Sequence, residues 1–170
     1  SADAARLAPI LDRRAQAAQE PEAKVEFTFR LAQILQDPLG QVDQVVARYR
    51  SIVEGLDARH APSLDALEAI YLNGERWQEL YDVYQRKLDI ASGDDEQAEI
   101  YSRMARLADQ YLGRPGDAVG LLEKVLTLRG EDAETLAALA DLPAAAGRHH
   151  ELIEVLERQL AAEPDHEQRV

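Results

Sequence analysis

The side chains in this sequence with the chemistry of nucleophiles, general acids or metal ligands are its serines, histidines and carboxylates. Nucleophilic catalysis needs a Ser, Thr or Cys beside an activating base. Ser51, Ser63, Ser92 and Ser102 stand in plain helical or turn settings without a G-x-S-x-G elbow, and cysteine is absent. The histidines are His60, His149, His150 and His166. Neighbouring His149 and His150 diverge by about 100° on a helix, and no i, i+4 pair with a third ligand accompanies them. His60 falls in a turn. Asp94-Asp95-Glu96 and Glu131-Asp132 are rich in oxygen. They lack the spaced ligands and mid-loop glycine of an EF-hand, and acids opening a helix account for both. Gly113-Arg-Pro-Gly116 has no lysine with which to cradle a phosphate. No two carboxylates share a recognisable apolar pocket that would split their pKa values. The expectation is a non-enzyme with no catalytic residues, no metal and no cofactor.

Charge and composition narrow the remaining classes. With 19 cations and 32 anions in 170 residues, the formal charge is −13. Such a field repels phosphate, so nucleic acid is not an expected partner. No apolar run reaches the ~20 residues that cross a bilayer, and no charged-then-apolar leader is seen, so no membrane partner is expected. A chain without cysteine suits cytosol and periplasm alike, with the cytosol favoured. Apolar residues at 46% and charged residues at 30% describe a folded chain. Length alone favours one domain over 1–170. The sequence opens inside an Ala-rich helical pattern and stops at Glu167-Gln-Arg-Val170 without a cap, as an excised piece of a longer protein would.

The elements that would position any site are helices throughout. Apolar residues recur at three and four: Leu7, Ile10, Leu11 and Ala15; Val25, Phe27, Leu31, Ile34 and Leu35; Val42, Val45, Val46, Tyr49, Ile52 and Val53; Leu64, Leu67, Ile70 and Tyr71; Trp77, Leu80, Val83, Tyr84 and Leu88; Ile100, Tyr101, Met104, Leu107, Ala108 and Tyr111; Leu121, Leu122, Val125 and Leu126; Leu136, Leu139 and Leu142; and Leu152, Val155, Leu156 and Leu160. Nowhere do they alternate as in a strand. Pro21, Pro62, Pro115 and Pro164 stand where helices should begin. Gly40, Gly74, Gly93, Gly113, Gly130 and Gly147 fall between stripes, as turn or cap residues. Pro9 should kink or restart the first helix, and Pro143 should bend another or end it early.

The pattern repeats. An offset of 72 lays Leu64, Leu67, Ile70, Leu80, Val83 and Leu88 on Leu136, Leu139, Leu142, Leu152, Val155 and Leu160. Within each long unit, Val45, Leu80, Ala118 and Leu152 share one position, at steps of 35, 38 and 34. A helix pair returning at that period is the mark of an α-solenoid, in which stacking buries faces that one pair cannot.

Leu64, Leu67, Tyr71, Gly74, Trp77, Leu80, Tyr84 and Leu88 resemble a degenerate tetratricopeptide repeat (TPR). Tyr101, Ala105, Ala118, Leu122 and Leu126 resemble another, lengthened around Gly113-Arg-Pro-Gly-Asp117. Glu68 departs from the small residue usual on the first helix, and Leu80 and Lys87 from alanines on the second. The resemblance implies an all-α fold, a right-handed α-α superhelix of about nine antiparallel helices. The helix pairs would span about 22–56, 61–91, 95–129 and 131–163, with 2–19 the second helix of a preceding pair. It also implies a concave groove lined by helices near 22–36, 61–73, 95–112 and 131–146. Candidate groove residues are Glu26, Phe29 and Gln33; Asp65 and Leu72; Glu99, Ser102, Arg106 and Asp109; and Asp141. Phe27 and Phe29 cannot both face one side. So acidic a surface suits a protein or peptide carrying Lys or Arg. The expected function is a scaffold for protein–protein interaction. The alternative is a structural spacer in a longer repeat protein, with self-association through exposed terminal helices.

Overall fold

The computed structural model describes residues 2–36, 42–130 and 132–142. It divides into two compact units, Ser1–Ile90 and Ala91–Val170. Every regular element among the described residues is helical. The helix expected over 147–163, with Ile153, Val155 and Leu156, lies outside them, as do His149, His150, His166, Gly40, Gly147 and Pro164.

The first unit holds α1 (Ala2–Ala17), α2 (Pro21–Leu35), α3 (Val42–Ser51), a π-helical turn (Ile52–Leu56), α4 (Ala61–Asn73) and α5 (Trp77–Leu88). Each helix packs on its neighbour in sequence, as short connections dictate. Pro21 and Pro62 occupy the first turns of α2 and α4, where a missing N–H leaves no bond unmade. Pro9 does not restart the first helix, which runs unbroken past it. The core follows most of the expected stripes, with Leu31, Val45, Tyr49, Ile52, Val53, Leu64, Leu67 and Leu80 all at most 2% exposed, but Leu7 and Ile10 of the first stripe and Val42 of the third are exposed instead. Phe27 lies beneath the Arg14 guanidinium of α1 (5.8 Å to the ring centre), and Phe29 packs against Tyr49 of α3 (5.6 Å between rings). The two phenylalanines therefore serve opposite neighbours.

The π turn was not foreseen. Ile52 and Val53 are both buried in it. The turn is widened by one residue, and the Asp57 N–H reaches back five residues to the Ile52 carbonyl (2.8 Å). Arg86 of α5 donates from Nη1 to the Val53 carbonyl (3.1 Å), so the widened turn is tied to a helix 33 residues on.

α4 ends at Gly74, its C-terminal cap as expected, with φ −91°. The left-handed residue is Glu75, at φ 54°. The Arg76 N–H bonds Tyr71 O (2.9 Å) and the Glu75 N–H bonds Leu72 O (3.3 Å), the two bonds of a Schellman motif. The Arg76 guanidinium then lies over the Tyr71 ring at 4.8 Å, closing the motif. A non-glycine residue in that conformation costs about 1 kcal/mol. Glu75→Gly is expected to stabilise the first unit by about 0.5–1 kcal/mol, seen as a rise in thermal midpoint, because relief of strain outweighs the extra freedom of the unfolded chain. No rise would mean the strain is absent.

The second unit holds α6 (Asp94–Gln110), α7 (Pro115–Arg129) and α8 (Ala133–Asp141). Asp94, Asp95 and Glu96 open α6, where the helix dipole favours acids. Ala98, Met104, Ala105, Ala108, Ala118 and Val125 form its core. The lengthening expected around Gly113 sits instead in the helix. α6 has 17 residues against 13 in α4, and only residues 111–114 join it to α7. Gly113, at φ 62°, makes that turn. The helix expected over 131–146 ends at Asp141, and Leu142 is extended (φ −76°, ψ 128°) as a residue preceding proline should be.

Candidate functional site

On α2 the first-turn side chains of Pro21 and Glu22, with Val25, Glu26 and Phe29 following at helical spacing, form one wall of a cleft. The other wall is the end of the π turn and the approach to α4: Leu56, Asp57 and His60. The cleft encloses about 530 Å³. Its apolar lining is Val25, Phe29 and Leu56, and its carboxylates are Glu22, Glu26 and Asp57. Phe29 is half-buried and rigidly backed. Tyr49, itself 1% exposed, packs on it, and His60 meets it edge-on at 5.1 Å. His60 is fixed in turn by a hydrogen bond between Nδ1 and the Oγ of fully buried Ser63 (2.8 Å). The Asp57 carboxylate accepts from the Arg59 N–H (2.9 Å). Glu26 also faces Arg30 at 3.3 Å, an exposed pair worth little.

The structure brings two of the candidate groove residues, Glu26 and Phe29, into this cleft. Gln33 is exposed further along α2. Asp65 and Leu72 are exposed on α4, outside the walls of the cleft. In the second unit Glu99 is exposed and accepts from Arg103 (3.0 Å), and Ser102 donates back to the Ala98 carbonyl (3.0 Å). Arg106 is exposed, Asp109 half-buried and Asp141 exposed at the end of α8. The sequence reading missed His60, Leu56 and Asp57 as site residues. They come from a turn, and only the π turn places them against α2.

Glu68 and Lys87, the departures from the repeat pattern, answer one another. Lys87 Nζ of α5 donates to Glu68 of α4 and to Asp65 (2.6 Å to Oδ1), and the Tyr84 hydroxyl donates to Glu68 Oε1 (3.1 Å). The Lys87 and Glu68 side chains are only 18% and 16% exposed. Burial alone would pull the Lys87 ammonium down. Hydrogen bonds to Asp65 and Glu68, reinforced by their charges, outweigh it and hold the group above its ordinary value. Asp65 is therefore committed to a structural pair. At the other end of α5, the hydrogen bond from Arg76 holds the Glu79 carboxyl below the usual range. No group of three or more His, Cys, Asp or Glu residues poised to hold a metal ion occurs among the described residues, and none of their helices is long and apolar enough to cross a membrane.

The profile of the Tetratricopeptide repeat family matches residues 63–99 and 135–170. The two matches begin 72 residues apart, the offset at which the leucines of α4 fall on those of α8. The first spans the α4–α5 hairpin. No curated protein matches the chain in sequence. Two similar solved structures are titled "Crystal structure of MamA protein" (TM-score 0.52, 17% identity, 86% of this chain and 78% of that one) and "Crystal structure of MamA" (TM-score 0.52, 18% identity, 82% and 78%). That likeness is one of fold. At residues 63–99 and 135–170 the chain matches the tetratricopeptide repeat family in sequence, and over most of its length it is an all-α protein that shares the fold of these helical neighbours.

Proposed function

We propose that the chain is a non-catalytic protein-interaction scaffold whose α2 cleft receives an apolar side chain flanked by Lys or Arg from a partner peptide or helix. The observation that carries this reading is the cleft itself. A backed aromatic, Phe29, lines the same cleft as three carboxylates in a chain of net charge −13. The apolar lining supplies area for contact, and the carboxylates select the sign of what flanks it. Kinship with a family of protein-binding repeats supports the same reading. The groove candidates of the second unit, Arg106 and Asp109 among them, are proposed as contact residues of that unit by itself.

The test is titration of a labelled helical peptide bearing Leu and Arg at i and i+3 positions. A version with Glu in place of Arg is the control. Glu26→Ala and Phe29→Ala are each expected to weaken binding of the Arg peptide about tenfold, roughly 1.4 kcal/mol. The Glu peptide is expected not to bind. Equal binding by wild type and both variants removes the cleft from the account. The spacer reading draws on Leu7 and Ile10, which are 47% and 50% exposed on α1 and suit packing onto another repeat. It predicts no binding of either peptide.

A further inference from the structure

We infer that His60 is the specificity-determining residue of the cleft, admitting a cationic side chain when neutral and excluding it when protonated. The inference rests on the cleft reading above and adds its regulation. Three features of the geometry carry it. His60 is a wall of the cleft, on the side facing Glu22 and Glu26 of α2. Its ring is locked by Phe29 on its edge and by Ser63 at Nδ1. Among the described residues no hydrogen bond engages its Nε2. The remaining charged groups around it are Asp57 and Arg59 of the same turn and Arg30, which pairs with Glu26. Tyr49 of α3, behind Phe29, is neutral at any pH considered.

Imidazole is the side chain that changes charge between about pH 5 and 8. A proton on His60 puts a fixed cation into the pocket that the guest cation must enter, and the imidazolium takes up the field of Glu22, Glu26 and Asp57. Proton and guest thus compete for the same carboxylates. Linkage makes the exclusion reciprocal: a bound guest must make His60 harder to protonate. If the two are fully exclusive, lowering the pH by about one unit beyond the imidazole titration costs about tenfold in affinity.

The experiment uses the Leu/Arg peptide at pH 7.5 and 5.5 with wild type and His60→Gln. Wild type is expected to lose about tenfold at pH 5.5. His60→Gln, whatever its affinity at pH 7.5, is expected to change by less than about twofold. A wild-type affinity that does not move, or an equal loss in both proteins, overturns the assignment and leaves the cleft reading standing. No binding at pH 7.5 overturns both. A second measurement does not depend on the variant: the His60 ring-proton resonance, followed by NMR, is expected to titrate at lower pH with saturating peptide than without it. An unmoved midpoint contradicts the inference.

Discussion

Tyr49→Ala is expected to cost the first unit about 3–5 kcal/mol, and to loosen the cleft even in the molecules that remain folded. The side chain is 1% exposed, so its removal leaves a cavity that neighbouring helices fill only in part. Its ring supports Phe29 from behind, and its hydroxyl donates to Gln36 Oε1 at the end of α2 (3.2 Å). One side chain therefore joins α2 to α3 at both a packing and a polar contact. Tyr49→Phe separates them. It keeps the ring and gives up the hydroxyl bond, with an expected cost of about 1 kcal/mol. Chemical denaturation of the two variants measures both numbers. Small domains hold only about 5–15 kcal/mol of stability in all, so the alanine variant should lie near the edge of folding. A cost below about 1 kcal/mol for Tyr49→Ala would mean that α2 and α3 are not joined through this ring.

The second large effect concerns Glu68 and Lys87. Either residue alone is a charge in a half-closed seam between α4 and α5. Lys87→Ala is expected to cost about 2–3 kcal/mol, since it strands Glu68 without its ammonium. Glu68→Ala is expected to cost less, because Asp65 still pairs with Lys87. The double variant restores the small residues usual in this repeat family and is expected to be more stable than the sum of the singles implies, by about 1–2 kcal/mol. Additive singles would show that the pair is decorative. The pH dependence follows from the raised Lys87 value. A lysine held above its ordinary value contributes stability that is whole below about pH 10.5, its unfolded value, and lost as pH climbs through the higher folded one. Wild type should therefore lose this contribution only in strong alkali, and Lys87→Ala should show no such loss.

The helices were legible in the sequence because burial with a 3.6-residue period leaves its mark on every turn. Leu64, Leu67 and Tyr71 could hardly be anything but one buried face of α4. Proline starts were legible too, since Pro21, Pro62 and Pro115 obey a purely local rule. What stayed hidden depends on contacts between distant residues. The π turn is tied to Arg86, 33 residues on, a contact that no local pattern marks. Glu75 takes the left-handed position rather than Gly74 because the two closing bonds and Arg76 over Tyr71 fix the register there. Lys87 and Glu68 looked like separate irregularities, and only the hairpin brings them within reach. As for the cleft, Glu26 and Phe29 could be picked from α2 by subtracting its core positions. His60 could not, since a histidine in a turn carries no periodic signal, and its place in the wall depends on the π turn before it.

Whether the α2 cleft is a binding surface is decided by amide chemical-shift mapping of the isotopically labelled chain during titration with the Leu/Arg peptide. Shifts are expected at Glu22, Val25, Glu26, Phe29, Leu56, Asp57 and His60, saturating together. Saturating shifts centred elsewhere, or no shifts at all up to millimolar peptide, would contradict binding there.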